Sequence, residues 1–159
     1  MPKIETATIE DAELIFLNFM GREGTYNRAG VRNFCVLIDQ DNAEAMAANG
    51  WNIKYLRPKE EGDVPTPYLP VEVSYKNKPP RITMITSKGR VPITEDLVGT
   101  LDAVDIAKVD IVVNAYDWTI RAGTPQEDSG RKAYLKTMFL TINEDDLERK
   151  YGIGEGKDE

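Results

Sequence analysis

Short runs in which apolar and polar residues alternate, set apart by glycine- and proline-bearing turns, dominate this chain, and that rhythm predicts strands. "ELIFLNF" (13–19) and "NFCVLID" (33–39) come first, and the polar stretch between them, residues 20 to 32, reads as a long hairpin loop. "DNAEAMAANG" (41–50) shifts to helical spacing, with Asp41 as cap and Gly50 as stop. "WNIKYLRP" (51–58) returns to strand, and "KEEGDVPTP" (59–67) is a turn-rich connector. "YLPVEVSYK" (68–76) alternates with period two, and Pro70, which has no N–H to give a ladder, marks it as an edge strand. "PPRITMITSKGRVPI" (79–93) supplies a further strand and a turn through Lys88, Gly89 and Arg90. "TEDLVGTLDAVDI" (94–106) is helical, capped by Thr94, with apolar residues at 97, 98, 101 and 104. "VDIVVNAYDWTI" (109–120) and "KAYLKTMFLTI" (132–142) are the last two strands, joined by the polar loop "RAGTPQEDSGR". About seven strands and two short helices predict a β-rich α+β domain, a barrel or a sandwich.

At 159 residues, 41% of them hydrophobic, the chain is long enough for one core without covalent staples. A single domain is expected over residues 1–150, with a short flexible acidic tail at 151–159. No apolar run reaches the roughly 20 residues that span a bilayer, so no membrane partner is expected. The chain opens on no basic-then-apolar leader and its single cysteine has no internal partner, which together point to a cytoplasmic, reducing setting.

Histidine is absent, which removes the usual neutral-pH general base and every Ser-His or Cys-His pair. Cys35 lies within an alternating apolar run and is expected to be a buried, inert thiol. No cofactor and no metal are implied. A carboxylate–magnesium nuclease would need Asp102, Asp105, Asp110 or Asp117 to converge, and a helix-then-strand placement works against that. A non-enzymatic role is expected.

The formal net charge of −7 hides an uneven distribution. Residues 21–34 carry +2, residues 51–90 carry +4 and residues 121–142 carry +2, while the acids concentrate between and beyond these blocks. Aromatic rings stand beside the cations. Tyr26 lies between Arg22 and Arg28, with Asn27 and Arg32 close by; Trp51 and Tyr55 flank Lys54, with Arg57 just after. Lys76 follows Tyr75, Lys88 and Arg90 share a turn, Tyr116 and Trp118 precede Arg121, and Arg131 and Lys132 precede Tyr134. Cations that track phosphates and flat rings that stack on exposed bases are what binding to single-stranded nucleic acid requires. Each ring can equally be core packing. Phe16, Phe34 and Phe139, inside the most apolar runs, are expected in the core, and at least one of Trp51 and Tyr55, which share a strand face with Ile53, should join them.

Together, "NFMGREGTYNRAGVRNF", "NGWNIKYLRP", "PPRITMITSKGR", "VDIVVNAYDW" and "GRKAYLKTMFLTI" resemble a family of tailed-bacteriophage single-stranded-DNA-binding proteins of the OB-fold kind, over residues 13 to 147. The resemblance implies an OB-fold-like Greek-key barrel with extra strands, binding along one face flanked by two loops. Mapped here, the first loop brings Arg22, Tyr26, Asn27, Arg28 and Arg32, and the second, residues 119–131, brings Arg121 and Arg131. It also implies an acidic C-terminal tail that recruits replication or recombination proteins, although this tail is short and has no aromatic tip. The expected partner is single-stranded DNA in the host cytoplasm, bound with little regard to sequence, with RNA as the open variant. The rival reading is a β-rich interaction or structural phage protein whose rings are buried and whose cations scatter. The oligomeric state is not legible.

Overall fold

In a computed structural model, residues 6–143 are described, apart from Tyr26, Lys59 and Asn77. The expected tail at 151–159 lies outside them. The described chain is a β-rich α+β fold: β1 (Thr6–Ile9), β2 (Leu14–Asn18), β3 (Arg32–Leu37), α1 (Gln40–Ala48), β4 (Lys54–Leu56), β5 (Thr66–Val73), β6 (Arg81–Thr86), β7 (Gly89–Ile93), α2 (Glu95–Val98), a 3-10 turn (Gly99–Ala103), β8 (Ile106–Ile120) and β9 (Asp128–Ile142). One mixed sheet joins the strands in the order β1-β8-β9-β5-β3-β2, with β4 beside β5 and the β6–β7 hairpin beside β9. All pairings are antiparallel except β5 with β9 and β6 with β9.

Alternation builds the core. On β5 every second residue, from Pro67 through Leu69 and Val71 to Val73, is buried, and these face Phe34 and Val36 of β3 and Val109, Ile111 and Val113 of β8. Phe19 stacks on Phe34 with ring centroids 5.3 Å apart. In β9 the register slips between Leu135 and Thr137, leaving Lys136 as the extra residue of a bulge. The core positions therefore change from Ala133 and Leu135 before it to Met138 and Leu140 after it.

Several sequence expectations shift. The cap of α1 is Asp39, whose carboxylate accepts the Asn42 N–H at 2.7 Å, two residues ahead of Asp41. The helix expected over 94–106 is broken into α2 and the 3-10 turn, and Thr94 makes no side-chain cap bond. β5 is interior, not an edge: Pro70 sits where its outer partner changes from β4 (paired with 66–68) to β9 (paired with 71–72), so the missing N–H costs no ladder bond on that side. β1, absent from the alternation pattern, is an added edge strand on β8.

Phe16 is 61% exposed, against the expectation of a core residue. A bulge between Ile15 and Asn18 puts its φ at +54° and turns the ring outward. Phe34 is fully buried as expected, whereas Phe139 is only half-buried, lying under the Arg90 guanidinium.

Candidate nucleic-acid interface

The three positive blocks of the sequence supply β3, β5 and β9, which are hydrogen-bonded neighbours. Opposite the core, their side chains form a strip that runs across five strands. Register sets Ile15 beside Cys35, Cys35 beside Pro70, Asn33 beside Glu72, Glu72 beside Tyr134, and Tyr134 beside Asn114, with Lys132 beside Tyr116 and Gly130 beside Trp118. Phe16 meets Tyr68 edge-to-face at 6.0 Å at one end, and Tyr116 meets Tyr134 in the same way at 5.9 Å at the other. Lys54, paired with Tyr68, lies on this face near Cys35.

Gly130 makes room for the Trp118 ring. A Cβ at residue 130 would stand 2.8 Å from Trp118 Cζ2, so the indole lies flat across the neighbouring strand only because glycine is there. Lys132 donates to the Glu72 carboxylate at 2.6 Å and lies 5.2 Å from the Tyr134 ring centroid. Partial burial would lower its pKa, but the bond to Glu72 and the neighbouring Tyr134 outweigh burial and hold the ammonium above its ordinary range.

Two loops stand at opposite ends of the strip. The β2–β3 loop meets the sheet at Arg32, beside Val73, whereas the β8–β9 loop meets it at Asp128, five residues before the Ala133–Val71 pair. At about 3.3 Å per residue the two are roughly 20–25 Å apart along the strands. The first loop is closed at its neck by Gly30 N–H donating to Gly21 O at 2.8 Å, with φ of +75° at Gly21 and +88° at Gly30. Asp102 ties its base, accepting the Phe19 and Met20 N–H groups at 2.7 and 3.0 Å.

The expected site residues divide accordingly. Arg22 and Arg28 are exposed on the first loop, Arg121 on the second and Lys54 on the strip, where Trp118 is half-buried and Tyr116 is 57% exposed. Arg57 and Lys76 are exposed beyond the ends of β4 and β5. Lys88 and Arg90 belong to the β6–β7 hairpin, with Arg90 over Phe139 at 5.9 Å. Tyr26 lies outside the described residues.

Others have internal tasks that sequence spacing does not reveal. The Asn27 amide donates to Arg22 O at 2.8 Å and Val31 O at 3.0 Å, holding the loop, and Arg32 donates to Phe19 O at 2.7 Å at its neck. Trp51 is a correction: only 6% exposed, it belongs to the core and offers no ring face to a base. Arg131 covers that indole at 5.6 Å while its Nε donates to Asp117 at 2.7 Å, which holds the Asp117 carboxyl below its usual range. Tyr55 is half-exposed, but its register with buried Pro67 turns it away from the strip. The alternation pattern missed Phe16, Tyr68 and Tyr134 as strip rings. Tyr134 stood in the right place, next to Arg131 and Lys132, and Tyr68 fell within a strand taken for an edge.

The four aspartates considered as metal ligands do not converge. Asp102 caps the loop base, Asp110 accepts the Asp11 N–H at 2.9 Å, and Asp117 is paired with Arg131. Among the described residues no three His, Cys, Asp or Glu side chains are grouped to hold a metal.

No curated protein matches the chain. Among solved structures it is similar to gp2.5, a single-stranded DNA binding protein encoded by bacteriophage T7, at 15% identity over 99% of both chains with a TM-score of 0.38, too loose a likeness to bear on the geometry above. The family model described as "Putative phage ssDNA-binding domain" matches residues 1–157, so the chain belongs to that family of phage single-stranded-DNA-binding domains, a DNA-binding family and not an enzymatic one.

Proposed function

We propose that this protein binds single-stranded DNA across the outer strip, with no sequence preference, during replication or recombination of a bacteriophage genome in the host cytoplasm. The observation that carries the proposal is the strip itself: exposed or half-exposed rings on neighbouring strands, with Arg22, Arg28 and Arg121 exposed on the loops at both ends. Every base has a π-face, so stacking on Tyr116, Trp118, Tyr134 and the Phe16–Tyr68 pair tolerates any sequence. Arg22, Arg28, Lys54 and Arg121 would take the phosphates. The two loops are those that flank the ligand face of an OB-fold.

The same reading takes β2, β3, β5, β8 and β9 as an OB-like Greek-key barrel with β1, β4 and the β6–β7 hairpin added. Three features support it: the β2–β3–β5 meander, the parallel step from β5 to β9, and the Ala12 N–H bond to Val109 O at 2.7 Å where β2 would meet β8. The acidic C-terminal residues, outside the described part, would carry any recruitment of replication proteins.

Tryptophan emission tests this directly, because Trp51 is sealed in the core and Trp118 lies on the strip. Oligothymidylate should quench emission to saturation at low salt, Trp118→Phe should abolish the quench, and Trp51→Phe should keep it. A wild-type signal indifferent to oligothymidylate at low salt would remove the proposal in favour of a protein-docking role, and equal affinity for oligouridylate would extend the ligand to RNA.

A further inference from the structure

Beyond the strip, on the same face, lies a cavity of about 470 Å³ that none of the expected site residues lines. Lys78, Arg81 and Lys136 surround it together with Thr6, Asn114 and Thr137, and among the described residues no carboxylate does. The three cations are exposed and form no ion pair among the described residues, whereas Lys132, Arg131 and Lys108 each have a carboxylate partner.

Local chemistry assembles the site. Pro79 and Pro80 hold the chain extended between Lys78 and Arg81, and Pro80 is buried, so the segment is anchored where β6 begins. β6 runs parallel to β9 with Arg81 beside Thr137. The β9 bulge adds Lys136 at the same level, and β1 brings Thr6 against Asn114. Three like charges gathered with no acid between them among the described residues repel one another, so the arrangement favours an anionic occupant.

Asn114 also lines the cavity, and its Oδ1 is buried with no hydrogen-bond partner among the described residues. Asn114 is also the register partner of Tyr134 and lies two residues from Tyr116 on the same strand face, so the cavity continues the tyrosine end of the strip.

We propose that Lys78, Arg81, Lys136 and Asn114 form a phosphodiester subsite that receives the backbone of the strand as it leaves the Tyr116–Tyr134 pair. The subsite rests on the single-stranded-DNA reading and lengthens its footprint toward β6. An Arg guanidinium supplies a planar fork and the two ammonium groups supply point charges, a combination suited to adjacent phosphates.

The test compares wild type with the triple variant Lys78→Gln, Arg81→Gln, Lys136→Gln, on oligothymidylates without a terminal phosphate. One is just long enough to saturate the Trp118 signal and one is several nucleotides longer. Wild type should bind the longer strand more tightly and with a steeper salt dependence. The variant should bind both alike, with the slope of log K against log salt shallower by about 2, from about 0.7 per lost phosphate contact. If the triple variant melts early, Lys78→Gln and Lys136→Gln singly should each lower the slope by about 0.7. Wild type that binds, with variants matching it in affinity and slope on both lengths, overturns the subsite and leaves the strip standing. Wild type that binds neither strand overturns both.

Discussion

Phe16 sits at a φ of +54°, a left-handed backbone that a bulky side chain rarely adopts, and its ring stands 61% exposed. Such strain costs on the order of 1–3 kcal/mol and persists where the surroundings or a function hold it. Phe16→Gly should therefore leave the melting temperature unchanged or raise it, because glycine takes positive φ freely. If the ring stacks on a base, the same change should weaken oligothymidylate binding by about 1–3 kcal/mol, read by fluorescence titration. A fall in melting temperature with unchanged binding would show that the Phe16–Tyr68 contact serves the fold alone. Cys35, on the same face, carries a prediction of another kind. Burial pushes its thiol up to about 11 from 9.0, against the opposing pull of Lys54. Near pH 8 its thiolate fraction should be roughly a hundredfold below that of a free thiol, so alkylation should be slow until the protein unfolds. The folded thiol stays protonated while the unfolded one ionises. Cys35 thus contributes stability that is complete below pH 9.0 and lost as pH climbs toward about 11. Cys35→Ala should flatten the alkaline limb of the stability curve in that window.

The β8–β9 hairpin, with 15 residues in each strand, is the element that most shapes the proposed interface, since its inner half fills the core and its outer half carries Tyr116, Trp118 and Tyr134. Its outer half is moored by Arg131, whose N–H donates to Gly50 O at 3.1 Å while its guanidinium covers Trp51. Removing that cation–π cover costs about 0.5–1 kcal/mol. Arg131→Ala should thus lower the melting temperature by about 2–3 °C while weakening DNA binding less than Arg121→Ala does, which thermal melts beside titrations would show. This contrast marks where the sequence was legible. Period-two alternation located β2, β3, β5, β8 and β9, and charge by segment located the three strands that lie side by side, because both are local properties. What it could not show is which cation already has a partner: Lys132 finds Glu72, 60 residues away, and Arg131 finds Asp117 across the hairpin. Nor could it show a bulge, since Phe16 and Lys136 change faces through register slips that leave the apolar pattern unmarked. Pro70 misled for the same reason: a proline is tolerated inside this sheet because β4 and β9 divide one side of β5 between them in two short pairings.

At the scale of the whole molecule, the net charge of −7 and an anionic ligand coexist because the charges are segregated. Arg22, Arg28, Lys54, Arg57 and Arg121 are exposed, with no ion pair among the described residues, at the margins of a face whose centre is aromatic. An overall negative protein repels a polyanion at distances beyond the Debye length, about 10 Å at 0.1 M salt, and attracts it only where the local field is positive. Added salt should then act in two ways: it screens the long-range repulsion and competes with the phosphate contacts. Contacts should dominate. Five neutralised phosphates give a slope near −3.5 in log K against log salt, a loss of roughly a hundredfold between 50 and 200 mM. Duplex DNA, which offers phosphates but keeps its bases stacked, should bind far more weakly at every salt concentration, because the rings of the strip then have nothing to stack on. A titration series of oligothymidylate and a duplex of equal length across that salt range measures both. A slope near zero would mean that the rings bind without the cations, and equal affinity for duplex would mean that the cations bind without the rings; either result breaks the coupling between charge and stacking on which the proposed interface depends.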